Sequence, residues 1–93
     1  MEVRRKKLSD LQIDSRYYVH GYYHVSTKYG DNYILTCCMD NSEEKFEIYA
    51  PKLVKAYIDT NLPENRFYFT IRKNSNCIYA EIPEYRPGYI TLN

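Results

Sequence analysis

Alternating apolar and polar positions predict extended structure over the first half of the chain. Residues 16–26 are rich in aromatic and β-branched side chains with a period of two, which indicates a strand. A second extended run covers residues 32–40 and follows a connection at 27–31, in which Gly30 can supply a positive φ. The two runs are therefore predicted to form a hairpin.

Gly21 interrupts the first predicted strand near its middle. Glycine has no side chain to pack, so inside a strand it often marks a bulge, and a bulge exchanges the two faces of the strand beyond it. The pattern therefore leaves open which side chains after Gly21 face outward.

The second half of the chain adds two kinds of element. Residues 45–50 alternate again and predict a third strand, whereas after Pro51 the apolar positions recur on one helical face, which predicts a helix of about three turns. Pro63 ends this helix. Residues 66–72 and 77–83 then predict a fourth and a fifth strand, joined by a turn-rich loop.

This order of elements predicts an all-β domain with one short helix. Five strands with a helix between the third and the fourth are typical of the OB-fold, a small five-stranded Greek-key barrel. Such a barrel buries one face of every strand around a single core and leaves few free edges. An SH3-like barrel is the nearest alternative, but it would not normally carry a helix of this length here. We expect a flexible basic arm at 1–7, the OB-fold domain at 8–83 and a C-terminal tail at 84–93.

Length and composition limit the possible classes of protein. The 93 residues suffice for one domain, and the mean hydropathy is −0.65. No stretch approaches the roughly 18 apolar residues of a membrane span, and the polar N-terminus is unlike a signal peptide. Three cysteines, with Cys37 and Cys38 adjacent, cannot all pair. We therefore expect no membrane partner and an intracellular, reducing compartment, the cytoplasm or the nucleus.

The net charge of +1 conceals an uneven distribution. Residues 1–28 carry six Lys or Arg against three Asp or Glu, residues 29–64 three against seven, and residues 65–93 four against two. Both ends are therefore basic and the middle is acidic. A basic stripe can form only if folding brings the two ends together, which the neighbouring first and fourth strands of an OB barrel would do.

The sequence contains none of the common catalytic or metal-binding motifs. His20 and His24 are four residues apart, which on a strand separates them by about 13 Å, too far to share a metal ion. Cys37 and Cys38 should point to opposite faces of their strand as small apolar residues. We therefore predict no enzyme activity, no cofactor and no metal.

Tyrosine is the unusual component, with twelve in the chain and no tryptophan. About half of the tyrosines can fill a small barrel, because the ring packs while the hydroxyl reaches water. The first strand, however, carries tyrosine on both faces, so some rings must meet solvent. Exposed rings beside cations suit single-stranded nucleic acid, whose bases stack on the rings while cations contact the phosphates.

The predicted site lies on the OB sheet face and its flanking loops. Glu47, on the third strand, is expected to mark the edge of the groove, and Arg66 to lie close by. The rings expected to face outward are Tyr18, Tyr22, Tyr29, Tyr49, Tyr68 and Tyr79. The expected phosphate contacts are Arg16, Lys28, Arg72 and Lys73.

Three segments carry a resemblance to a known group of proteins. They are Tyr-Tyr-Val at 17–19 followed by Thr-Lys-Tyr-Gly-Asp at 27–31, Tyr-Ile-Leu-Thr at 33–36, and Phe-Glu-Ile-Tyr-Ala-Pro-Lys-Leu-Val at 46–54. Together they resemble small OB-fold single-stranded DNA-binding proteins of viruses and mobile elements, over about residues 8–72. The resemblance implies that Lys28, Tyr29 and Lys52 lie near a ligand and that the protein takes part in DNA replication. The acidic middle of the chain departs from strongly basic or acid-tailed binders, which argues against cooperative coating of long strands.

Two hypotheses follow. The first is a non-catalytic OB-fold module that binds single-stranded nucleic acid, DNA more than RNA, with little sequence preference. The alternative is a protein interaction module, in which the tyrosines form a partner-binding or homo-oligomeric patch, or a sheet edge accepts a strand. Salt dependence distinguishes them, because only phosphate contacts make affinity fall steeply with salt.

Overall fold

The structure, a computed structural model, describes residues 4–64, 66–83 and 85. Its core is one curled, half-barrel sheet of six strands. The elements are β1 (Arg4–Arg5), a 3₁₀ turn (Leu8–Asp10), β2 (Arg16–Thr27), β3 (Gly30–Met39), β4 (Phe46–Tyr49), α1 (Lys52–Asn61), β5 (Phe67–Asn74) and β6 (Cys77–Glu81). The strand order is β1-β4-β3-β2-β5-β6, and every neighbouring pair is antiparallel except β1 and β4.

β2 is the central strand and pairs with two neighbours. Its first four residues pair with β5, and most of its length pairs with β3. Tyr17 lies in the middle of the core, where its ring stacks on Phe69 at 5.7 Å and meets Phe46 edge-on at 5.9 Å. The Tyr17 hydroxyl accepts a hydrogen bond from the backbone N–H of Gln12 at 2.8 Å. The buried ring therefore keeps its polar atom satisfied, as buried tyrosines usually do.

α1 packs against the inner face of the curled sheet. Val54 and Ile58, one turn apart on one helical face, are fully buried. The helix ends at Leu62, which takes the left-handed conformation at φ +43° and donates its N–H to the carbonyl of Ile58 at 2.8 Å. A left-handed residue is the usual way to satisfy the last carbonyls of a helix.

The prediction of an all-β domain with one short helix is confirmed. The structure has six strands rather than five, because β1 pairs in parallel with the outer edge of β4. The Lys6 N–H extends this pairing by donating to the Glu47 carbonyl at 2.8 Å. The described part of the predicted flexible arm is therefore attached to the sheet edge, where β4 offers unpaired backbone groups. Residues 1–3 of that arm lie outside the described residues.

Tyr85 is the one described residue of the predicted tail. It is buried in the core cluster, and its ring meets Tyr57 edge-on at 5.4 Å. Its N–H donates to the carbonyl of Ile82 at 2.9 Å. The packed domain therefore extends past the predicted boundary at residue 83, while residues 84 and 86–93 lie outside the described part of the chain.

The bulge predicted at Gly21 is present. Val19 pairs with Cys37 and Gly21 pairs with Thr36, so one extra residue, His20, stands between two consecutive partners on β3. Before the bulge, odd-numbered residues of β2 face the core, as buried Val19 does. Beyond it, even-numbered residues do, because Tyr22 lies opposite the buried core residue Leu35. The bulge therefore decides which tyrosines of β2 face outward.

Candidate nucleic-acid interface

The face of the sheet turned away from the core, here called the outer face, carries exposed tyrosines on four strands. They are Tyr23 on β2, Tyr49 on β4, Tyr68 on β5 and Tyr79 on β6, each 40–48% exposed. Directly paired residues share a face. Tyr23 and Tyr49 both pair with Ile34. Ile34 points to the outer face because its neighbour in sequence, Leu35, points into the core. Tyr68 and Tyr79 share the outer face because Phe69 and Ala80, their neighbours in sequence, face the core.

The β2–β3 turn adds the most exposed ring of the described residues, Tyr29, at 87% exposure. The Thr27 hydroxyl accepts the Tyr29 N–H at 3.1 Å and donates to the Gly30 carbonyl at 2.7 Å. Gly30 has φ +114°, which L side chains rarely adopt. These local constraints hold Lys28 and Tyr29 at the tip of a tight two-residue turn, between the paired residues Thr27 and Gly30.

Behind this turn lies an open cleft of about 600 Å³, which we call the hairpin cleft. Lys28 Nζ lies 5.1 Å from the centroid of the Tyr29 ring at its mouth. The cleft is lined by Ser26, Thr27, Lys28, Tyr29, Asn32 and Tyr49. It therefore combines two exposed rings, one cation and several polar groups. Three of the predicted site residues, Lys28, Tyr29 and Tyr49, come together here.

A second aromatic group on the outer face, here called the Arg–Tyr stack, joins β2 and β5. The rings of Tyr18 and Tyr68 stack at 4.7 Å with 27° between their planes. Arg16 Cζ lies 4.5 Å from the Tyr68 centroid, and Arg66 Cζ lies 5.8 Å from the Tyr18 centroid. These cation–π and ring–ring contacts already occupy much of both rings. The predicted residues Arg16, Tyr18 and Tyr68 do come together, but as a closed stack.

Next to this stack, His20 and Cys38 are in contact on the outer face. His20 Nε2 lies 3.2 Å from Cys38 Sγ. Burial lowers the pKa of His20, and the nearby cations Lys45 and Arg66 lower it further. The adjacent Cys37 points into the core instead, as the alternation predicts, and burial raises its pKa to about 12. The imidazole therefore adds little positive charge to this face at neutral pH.

The carboxylate of Glu47, which we expected at the groove edge, is neutralised in place. Arg5 on β1 donates to Glu47 Oε1 at 3.2 Å, and the Tyr23 hydroxyl donates to Oε2 at 3.4 Å. The same guanidinium lies 5.1 Å from the centroid of the Tyr49 ring. The N-terminal strand thus offsets the one carboxylate that lies between the exposed rings of β2 and β4.

Two of the predicted phosphate contacts form ion pairs within the protein. Arg16 contacts Asp40 at 2.7 Å, and Arg72 contacts Asp14 at 2.9 Å and Glu81 at 3.3 Å. The hydrogen bonds that Arg16 donates to Asp40 raise the pKa of Arg16, and the one that Arg72 donates to Asp14 is the main cause of the raised pKa of Arg72. These carboxylates offset the charge of both arginines and compete with a phosphate for their N–H donors. Among the described residues, Lys28 forms no ion pair.

The prediction that Tyr22 faces outward is wrong. The bulge turns Tyr22 inward, where it is half-buried against the core and meets Tyr33 edge-on at 5.6 Å. Its hydroxyl donates to the carbonyl of Pro63 at 2.9 Å. The outward ring at this end of β2 is Tyr23, because His20 is the extra residue of the bulge and the faces of the strand exchange beyond it.

Lys73 was expected in the loop between the last two strands, but β5 continues to Asn74 and includes it. Lys73 pairs with Ile78, which packs partly against the core, so Lys73 lies on the opposite face from Arg72. The turn is shorter than predicted because Ser75 takes a left-handed conformation at φ +54°. Tyr79 pairs with Arg72 on the outer face, close to the edge of the sheet.

Besides Tyr23, sequence reasoning missed two contributors to the candidate interface. Asn32 lines the hairpin cleft, and Arg5 supports Tyr49 and Glu47. No local signal marks either one: Asn32 stands among ordinary strand residues, and Arg5 belongs to a charged run without periodicity. Their roles depend on contacts with residues far away in sequence.

Comparisons with known proteins add no relative, since no protein-family model, curated protein or solved structure matches the chain. Within residues 4–64, 66–83 and 85, no helix is long and apolar enough to cross a membrane. The same residues contain no cluster of three or more His, Cys, Asp or Glu side chains that could hold a metal ion. We therefore infer the function from the geometry of the outer face.

Proposed function

We propose that the protein is a non-catalytic OB-fold module that binds single-stranded nucleic acid, DNA more than RNA, on the outer face of its sheet. The observation that carries this proposal is the distribution of tyrosine. Within the described residues, every exposed tyrosine lies on the outer face or on the hairpin tip that borders it. Stacking on aromatic rings contributes about 1–3 kcal/mol per base without selecting a sequence.

The order of the strands supports the assignment to the OB-fold. β2 to β6 follow the predicted order of three strands, a helix and two strands, and the long, bulged β2 pairs with both β3 and β5. One feature differs from a closed barrel. In the described residues β4 pairs with β1 on its outer side and not with β6, so the sheet is open on that side.

The proposed binding mode uses the two aromatic groups differently. Bases stack on the exposed rings of Tyr29 and Tyr49 in the hairpin cleft, which stack on no other ring among the described residues but each lie 5.1 Å from a cation, Lys28 or Arg5. These cations move aside for the base, and Lys28 contacts an adjacent phosphate. The Arg–Tyr stack provides a rigid, positively charged border, because its rings are already stacked on each other. Duplex DNA does not offer free base faces, so it should bind more weakly than a single strand.

The test is titration with a short oligothymidine at low salt, followed by tyrosine emission. Because the chain has no tryptophan, its emission comes from tyrosine, and stacking should quench it. We expect quenching that is lost steeply as salt increases, and less quenching with a duplex of equal length. Unchanged emission together with no mobility shift in a gel would contradict the proposal.

One observation favours a second candidate, a protein interaction module. An open apolar groove of about 630 Å³ lies between α1 and the outer edge of β6, which pairs with no strand among the described residues; Leu8, Leu53, Ala56 and Ile78 line part of it. An added strand from a partner or a second copy could pair with β6 and cover this groove. Size-exclusion chromatography at low and high salt tests it, since an apolar interface persists in salt while phosphate binding does not.

A further inference from the structure

Asn32 lines the hairpin cleft, and its side-chain amide has an unused acceptor. Asn32 lies near the start of β3, two residues before Ile34 and therefore on the outer face. Its Oδ1 is shielded from solvent, and no donor among the described residues forms a hydrogen bond with it. It is the one buried side-chain N or O atom in the described residues without a partner. Buried polar atoms are nearly always satisfied, so this acceptor is available to a ligand that reaches it at the proposed site.

The surroundings of Asn32 suit a flat ring. Tyr29 and Tyr49 line the same cleft, and Tyr29 is 87% exposed on its turn, so its side chain can change rotamer and admit a ligand. Lys28 supplies a positive charge at the mouth of the cleft. Aromatic walls, a cation at the rim and a polar group inside together match the parts of a nucleotide: base face, phosphate and base edge.

We propose that Asn32 accepts a hydrogen bond from the edge of one base held in the hairpin cleft, so that this base must carry a donor. The inference rests on the proposed function and names the recognition step within that site. Adenine, cytosine and guanine offer exocyclic amino groups as donors, and thymine and uracil offer the N3–H. A single acceptor therefore admits every natural base, in agreement with low sequence preference, but discriminates against a base whose edge donor is blocked.

The test compares the binding of two single strands, an oligothymidine and the same oligomer made from N3-methylthymidine. Each strand has about eight nucleotides, a length within the range that one OB-fold covers. The methyl group blocks the edge donor and leaves the base face and the phosphates in place. The wild-type protein should bind the methylated strand about two- to tenfold more weakly, as expected for one lost hydrogen bond. Asn32→Leu, similar in shape but without polar atoms, should bind both strands alike.

The matched control is Asn41→Leu. Asn41 is exposed in the β3–β4 turn, at the opposite end of β3 from the cleft, so this variant should keep the wild-type penalty for methylation. The thermal midpoint of Asn32→Leu should not fall, because the Oδ1 atom loses no protein hydrogen bond. A lower midpoint with weaker binding of both strands would show a structural role and would overturn the inference.

The remaining outcomes separate the inference from the proposed function. If the wild-type protein binds both strands equally well, single-strand binding stands and base-edge recognition by Asn32 is wrong. An equal methylation penalty in Asn32→Leu would place the recognised edge elsewhere and would also overturn the inference. Failure of the wild-type protein to bind either strand at low salt would reject the proposed function and the inference with it.

Discussion

Tyr29 and Tyr18 were both predicted to stack with bases. From the structure we expect substitution by alanine to weaken binding at Tyr29 and to lower stability at Tyr18. Tyr29 is 87% exposed, so Tyr29→Ala should change the free energy of unfolding by less than about 0.5 kcal/mol. If a base stacks on this ring, its loss should weaken binding by about 1–3 kcal/mol, which is roughly five- to 150-fold. Tyr29→Phe keeps the ring and should bind nearly as well as the wild-type protein.

Tyr18 is half-buried, and its ring stacks on Tyr68 at 4.7 Å. A pair of this kind contributes ~1 kcal/mol beyond its buried area, and partial burial of the ring adds ~1 kcal/mol. Tyr18→Ala should therefore lower the free energy of unfolding by about 2 kcal/mol and the thermal midpoint by roughly 8–16 °C. Its affinity for a single strand should fall by less than about fivefold, because no base stacks on a ring that is already covered.

Both quantities can be measured on the same samples, the midpoint by thermal unfolding and the affinity by anisotropy of a labelled oligothymidine well below that midpoint. The expected pattern is a loss of affinity alone for Tyr29→Ala and mainly a loss of stability for Tyr18→Ala. The opposite pattern, with a stable Tyr18→Ala that binds much more weakly, would refute the assignment of free and closed rings.

Three further predictions concern other parts of the molecule. Lys28→Ala should reduce the slope of log affinity against log salt by about 0.7, the value for one phosphate of a single strand; an unchanged slope excludes a phosphate contact. Tyr22→Phe removes the hydrogen bond to the Pro63 carbonyl, so it should lower the free energy of unfolding, measured in urea, by about 1 kcal/mol. Its affinity for a single strand should not change, and weaker binding would show that Tyr22 contacts the ligand. Because burial lowers the pKa of His20 below its usual 6.5, its stabilising contribution is complete above pH 6.5 and is lost as pH falls below that value. Between pH 7.5 and pH 5, the free energy of unfolding in urea should therefore fall more for the wild-type protein than for His20→Asn. An equal fall in both proteins would show that His20 is not responsible.

Much of the fold could be predicted from sequence because its elements have strong periodicity. Alternation or extended runs of apolar, aromatic and β-branched residues indicated the five longer strands, and Pro51 marked the change to a helical period. Arg4–Arg5 lacks such a pattern, since a two-residue edge strand forms only where β4 offers a free edge. The sixth strand therefore follows from tertiary structure and not from local preference.

The site was less predictable, because it depends on which face each side chain occupies. Gly21 signalled a bulge, but only pairing with β3 shows that His20 is the extra residue, and this decides between Tyr22 and Tyr23. The charges posed a similar problem. Arg16 and Asp40 are 24 positions apart, and only the folded chain brings them to 2.7 Å.

The short strand β1 ties Arg4 and Arg5 to the sheet beside the exposed rings of the outer face. Arg5 is at once a backbone partner of β4, the counter-charge of Glu47 and a neighbour of the Tyr49 ring. We expect that removing the chain up to Arg5 would leave the edge of β4 unpaired and open to self-association, and would leave Glu47 without its counter-charge beside the exposed Tyr49 ring. A truncation or tag at this edge should therefore promote aggregation.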